Sequence, residues 1–169
     1  HRDLHSFPTR RSSDLDAVGV QGTLVMPTHS TQCSEPRHWQ NPAVPESWWD
    51  IIRLESPAYD RRLTPTLGMG VIAECFRGLE GAVRSPHPTL SFTGFGPRAL
   101  EICAGHAYDF GLGEDSPLSR MVAVNAKVLL LGVGFESCTL LHLAETRADW
   151  PEKGEVHQGA KVVTDDGVQ

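Results

Sequence analysis

The chain has 169 residues, 40% of them hydrophobic and 21% charged, and a net charge of −6 at neutral pH. That length fits one domain with a real core, and the acidic balance disfavours nucleic acid and attracts cationic ligands. There is no apolar run of about 18 residues to span a membrane and no signal-type apolar segment, so a cytoplasmic protein is expected. The four cysteines form no Cys-x-x-Cys pair and have no matching histidine spacing, so no metal site is expected.

His5 to Leu15 reads, codon by codon, as a translated sequencing adapter. Residues 1–15 are therefore set aside as an artefact without ordered structure, and residues 16–169 are taken as one partial domain. Gly22 to Thr28 reads as a strand that buries Leu24, Val25 and Met26. His29 to Asn41 is polar, contains Pro36, and reads as a loop. Pro45 suits the first turn of a helix reaching Glu55, with Trp48, Ile51, Ile52 and Glu55 at helical spacing. Trp48 is thereby assigned to the core. Pro57 stops this helix.

Met69 to Arg77 reads as a second helix, with an apolar stripe of Val71, Ile72, Cys75, Phe76 and Leu79. Ser85 to Pro88 is a turn with two prolines, and Thr89 to Phe95 is a strand. Pro97 opens a third helix to about Ala107, with Leu100, Cys103, Ala104 and Ala107 on one face. Cys75 and Cys103 are read as buried thiols. Gly111 to Asp115 is a loop, and Ser116 with Pro117 is a cap followed by a first helical residue.

Lys127 to Val133 is the best strand signal in the chain, an apolar run that reads as buried. A glycine-rich turn follows, then Ser137 and Thr139 as candidate helix caps, then Leu140 to Glu145 as a helix. Val156 to Val163 reads as a strand, and Asp165 to Gly167 as a hairpin turn. Strands alternating with helices give an α/β layered fold, and the hairpin adds an antiparallel part, so a mixed sheet is expected.

The chemistry concentrates in the segment after the strand. His142 and Glu145 are three residues apart and share one helix face. A carboxylate beside an imidazole favours its charged form and fixes its tautomer, which is how a general base is made. Catalytic groups of open α/β sheets gather just past the carboxyl ends of strands. On spacing alone an ordinary surface pair is the commoner reading.

Eight segments add to it. Gly22–Thr28, Asn41–Trp49, Thr64–Gly70, Glu74–Arg77, Arg84–Pro88, Ser91–Phe92, Gly113–Leu118 and Val128–Glu145 follow one another in order. Together they resemble the aminoglycoside 3-N-acetyltransferase family. The resemblance implies a three-layer α/β/α arrangement with a mixed sheet, truncated at both ends relative to the family. It implies acetyl-CoA as co-substrate and the 3-amino group of 2-deoxystreptamine aminoglycosides as acceptor. It makes His142 the general base and Glu145 the group that orients it.

On the coenzyme side stand Arg84, whose charge suits a phosphate, and His87, fixed in its proline turn; a rigid connector is the competing reading of both. Ser116 resembles a family segment near the coenzyme, and it also reads as a plain helix start. Thr139 and Ser137 either cap the helix or offer hydroxyls to the thioester and acceptor. Glu136, acidic in a turn, suits an ammonium contact, and equally a solvated turn. Family members often carry asparagine where this chain has Cys138, and a thiol lacks the donor and acceptor of the amide. Two alternatives stay open: an acetyltransferase for a non-antibiotic amine, and a non-catalytic acidic fragment.

Overall fold

The computed structural model describes residues 16–149 and 159–168. The stretch set aside at residues 1–15, and Val156, lie outside the described residues.

A three-stranded antiparallel sheet forms the centre, made of β1 (Leu24–Pro27), β2 (Val83–Arg84) and β3 (Phe92–Phe95) in the order β1-β3-β2. β3 is aromatic and β-branched, the composition that packs well on a pleated surface, and it takes the middle place. Leu24 faces Phe95, Pro27 faces Phe92, and Val83 faces Gly94. Pro27, which has no amide hydrogen, ends an edge strand, where that loss is tolerated.

Among the described residues from Glu46 on, the α-helices in chain order are α1 (Glu46–Glu55), α2 (Gly70–Arg77), α3 (Ala99–Cys103), α4 (Pro117–Ala123) and α5 (Leu141–Arg147). α3 lies directly on β3. A Cβ at Gly94 would stand 3.1 Å from Ala99 and 3.2 Å from Cys103 Sγ, so only glycine lets strand and helix approach this closely. Phe92, Leu118 and Leu143 form one buried cluster, with Val25, Leu112, Met121 and Leu140 packed against it. That cluster glues α4 and α5 to the sheet. A hairpin, β4 (Val163–Thr164) with β5 (Gly167–Val168), turns at Asp165–Asp166 as expected.

Helices and strands share this core, so the α/β class stands. The described ladders are antiparallel, and parallel pairing is confined to one bridge between Tyr59 and Val162. Val83 and Arg84 form a strand that the sequence reading did not assign, just before the expected turn, and the loop after His29 contains two short 3₁₀ turns, Thr31–Cys33 and Pro36–His38.

The largest departure is the run from Lys127 to Val133. It forms no strand among the described residues, and Leu129 and Leu131 are 73% and 67% exposed. A strand is a paired structure, and no described strand offers this run a ladder. α1 also turns its expected face outward: Trp48 is 55% exposed and Ile51 60%. Residues 48, 49, 51, 52 and 54 are all apolar, and at about 100° per residue they wrap more than half the helix. One contact cannot cover so wide a stripe, and Trp49 and Ile52 take the half-buried side. Likewise α2 buries Ala73 and Phe76 and leaves Cys75 exposed, whereas Cys103 is fully buried as expected.

Candidate active site

α5 starts without a side-chain cap. Leu140 is its N-cap, and neither Ser137 nor Thr139 caps it, which corrects the expected capping. Ser137 instead closes a 3₁₀ turn, Phe135–Ser137, and the Thr139 carbonyl accepts the His142 amide at 3.2 Å. The turn is held by Glu136, whose carboxylate accepts the Gly134 amide at 3.0 Å. Backbone hydrogen bonds, including that one, lower the Glu136 pKa, so the carboxylate stays charged.

Leu143 is the buried anchor of α5, and its neighbours on the other faces are exposed. His142 Nδ1 lies 2.7 Å from Glu145 Oε2, with the two side chains 51% and 65% exposed. With the Nδ1 hydrogen donated to the carboxylate, Nε2 carries the lone pair. This is the arrangement of a solvent-reachable base with a fixed tautomer.

The other expected site residues lie deeper. Arg84 is buried and 5.1 Å over the Tyr59 ring. It donates to the Thr28 carbonyl (2.6 Å), the Thr64 carbonyl (2.5 Å), Ser30 Oγ (2.6 Å) and Ser91 Oγ (3.0 Å). Its donors are thus spent on the chain itself. Ser116 is fully buried and caps α4, accepting the Leu118 amide at 3.2 Å and donating to the Gly113 carbonyl at 2.6 Å. Its expected cap is present.

His87 is buried as well. Its Nδ1 accepts the amides of Thr89 (3.2 Å) and Leu90 (3.1 Å). Its other edge presses on Gly111, where a Cβ would fall 2.4 Å from Nε2. His87 stacks at 4.8 Å on His106, which the sequence reading did not single out. His106 holds Ser85 Oγ at 2.9 Å and the Gly111 carbonyl at 2.6 Å. Burial lowers both pKa values to about 4, so both rings are neutral near pH 7.

His29 was also missed, although it sits just past the carboxyl end of β1, a position that itself signals function. Its Nε2 is buried without a partner, and its ring meets Phe92 edge-on at 5.4 Å. Burial first, then the charges of His87, His142 and Arg84, lower its pKa to about 4.

The structure therefore brings His142 and Glu145 together at the surface, with His29 near enough to feel the charge of His142. It brings Arg84 into the polar core beneath, and His87 and His106 into a stacked pair. Two described cavities, of about 250 and 340 Å³, are lined by neither His142 nor Glu145. No His, Cys, Asp or Glu cluster suited to a metal occurs among the described residues.

A sequence model of the aminoglycoside 3-N-acetyltransferases matches residues 12–169. The chain belongs to that family. Among its relatives is the SPbeta prophage-derived aminoglycoside N(3')-acetyltransferase-like protein YokD of Bacillus subtilis, 45% identical over 152 residues, which cover 89% of this chain and 55% of that protein. Aminoglycoside N(3)-acetyltransferase IX of Micromonospora chalcea is 40% identical over 142 residues, covering 80% and 47%. The crystal structure of YokD superposes with a TM-score of 0.90 at 41% identity, over 96% of this chain and 64% of that one. A solved AAC-IIIb in binary complex with CoASH superposes at 0.82 and 31% identity, over 98% and 61%. The chain spans about half the length of the curated relatives it matches.

For an aminoglycoside acetyltransferase-family chain, the half-exposed dyad and the buried polar frame beneath it have different tasks. The dyad presents an imidazole to solvent, held by its carboxylate partner. The frame sets where β1, β3 and α4 lie, and through the cluster around Leu143 it sets where α5 lies.

Proposed function

We propose that the whole protein transfers an acetyl group from acetyl-CoA to the 3-amino group of a 2-deoxystreptamine aminoglycoside, with His142 as general base. The observation that carries this reading is the 2.7 Å contact between His142 Nδ1 and Glu145 on an exposed helix face. It is supported by relatives named as aminoglycoside N(3)-acetyltransferases and by neighbours solved with CoASH and with sisomicin. The net charge of −6 suits a polycationic acceptor. Among the described residues no helix is long and apolar enough to cross a membrane. We place the reaction in the cytoplasm, where acetyl-CoA is made.

In this reading His142 Nε2 takes a proton from the neutral acceptor amine as its nitrogen attacks the thioester carbonyl. The C–N bond forms, the C–S bond breaks, and the proton on the imidazolium passes to the leaving thiolate. Glu145 holds the ring through the 2.7 Å contact at Nδ1. Thr139 and Ser137, in the turn before α5, offer their hydroxyls to the thioester and acceptor, and Glu136 offers its carboxylate to an ammonium. His87 and Ser116 shape the coenzyme side from beneath, and Arg84 fixes the strands that carry it.

The test is CoA release by the whole protein with gentamicin-type and kanamycin-type acceptors against simple amines. His142→Ala is expected to lower kcat by about 10²–10⁴-fold with acceptor binding largely kept, and Glu145→Gln to lower it less. Undiminished turnover in His142→Ala would remove the mechanism. Turnover of simple amines alone would replace the acceptor with a non-antibiotic amine.

A further inference from the structure

α5 carries the dyad on seven residues, and only one of them, Leu143, is buried. One apolar anchor fixes the depth of a helix but resists rotation about its axis poorly. A roll of about 20° would carry a ring 5–6 Å from the axis through about 2 Å. A displacement of that size is enough to spoil proton transfer. Something else must set the roll.

The opposite side of the helix supplies it. Arg147 donates through Nε to Glu114 Oε1 at 2.6 Å and through Nη2 to Glu114 Oε2 at 3.0 Å. This is a two-pronged fork, the geometry that adds direction to charge. At about 100° per residue, Arg147 stands about 140° around the helix from His142. It therefore holds the helix from behind the dyad. Thr146 packs close to Gly113 beside it, so that a Cβ at Gly113 would come 3.3 Å from Thr146 Cγ2.

Glu114 is a fit anchor. Arg147 first of all, and Ser119 of α4 in smaller part, lower the pKa of its carboxylate and keep it charged. Its loop is pinned at two further points: the Ser116 hydroxyl donates to the Gly113 carbonyl, and the Ala107 amide donates to the Asp115 carbonyl at 3.0 Å. The same loop carries Gly111, whose carbonyl bonds His106. The pair thus ties α5 to a loop clamped onto the polar core.

We infer that Glu114 and Arg147 are positioning residues: their forked ion pair sets the rotation of α5 and so aims His142 at the acceptor. This rests on the general-base reading above. Both side chains are about half exposed, so the pair contributes little to global stability. Its worth lies in orientation.

The experiment compares Glu114→Gln, Arg147→Lys and the charge swap Glu114→Arg/Arg147→Glu in the whole protein. Both single variants are expected to lower kcat by about ten- to a hundredfold. KM for both substrates should stay within about twofold, and the unfolding midpoint should barely move. Arg147→Lys keeps the charge and loses the fork, so its loss separates orientation from electrostatics. The swap should recover most of the turnover. An activity-independent reading is the His142 Nδ1–H proton signal, which should broaden in Glu114→Gln as the ring loses its fixed aim. Parent-like kcat with an unchanged signal in Glu114→Gln would overturn the inference. So would full activity in Arg147→Lys. If His142→Ala keeps its turnover, the base reading fails instead.

Discussion

Two regions of this molecule invert the usual link between composition and burial. The centre, where β1, β2 and β3 meet, is rich in polar groups. Thr28, Ser30, Ser85, Ser91 and Thr93 are fully buried there, and Arg84 nearly so. The run from Lys127 to Val133 is almost wholly apolar and lies largely exposed. The difference is pairing. In the centre nearly every polar atom has a partner: Thr28 Oγ1 meets Thr93 Oγ1 at 2.9 Å, and Ser85 Oγ accepts the Phe92 amide at 2.9 Å. A satisfied polar group can be buried at little cost, whereas an apolar run without a ladder has nothing to bury it.

The sharpest way to break the contrast is Arg84→Met. The change keeps much of the volume but deprives the Thr64 carbonyl and the Ser30 and Ser91 hydroxyls of their donor. A loss of about 3 kcal/mol or more is expected in urea unfolding, because each orphaned group costs roughly 1–3 kcal/mol. A loss below about 1 kcal/mol would mean that the guanidinium is not what holds the strands.

Acid should attack the same region next. His29, His87 and His106 have folded pKa values near 4, against 6.5 for a free histidine. The unfolded chain therefore binds protons that the folded one refuses. Stability is full above about pH 6.5 and falls as the pH drops from 6.5 towards 4, by at most about 1.4 kcal/mol per pH unit for each ring. Glu74, held at about 2 by Arg77, adds a separate loss as the pH falls from 4.5. Urea midpoints measured from pH 8 to 4 test this, and a flat profile above pH 5 would contradict it.

The smallest effect belongs to the exposed run. Leu129→Ser should change stability by less than about 0.5 kcal/mol, as surface substitutions do, while reducing self-association at high concentration. A cost above 2 kcal/mol would show that the run is buried in solution.

What was legible in the sequence follows the same division. The α4 start was readable because Ser116 and Pro117 act locally, through a cap and a fixed φ. The hairpin at Asp165 was readable for the same reason. The His142–Glu145 contact followed from helical spacing alone. Trp48 and the Val128 run were misread because burial depends on what lies opposite, which periodicity does not contain. The His87–His106 stack and the Glu114–Arg147 fork span gaps of 19 and 33 residues, so only the folded chain brings them together. Ser137 and Thr139 were good caps by type, but the chain enters α5 through a 3₁₀ turn that leaves Leu140 at the capping position.

The four thiols also bear on how such a protein is handled at the bench. Cys75 is exposed, Cys33 and Cys138 are half-buried, and Cys103 is sealed beneath β3 with its pKa pushed up by burial to about 12. A colorimetric reagent that counts released CoA will also count protein sulfur, promptly at Cys75 and only after opening at Cys103. The background of the turnover assay thus contains a clock. Its slow phase reports how often α3 lifts from the strand, in the same cuvette that measures acetyl transfer.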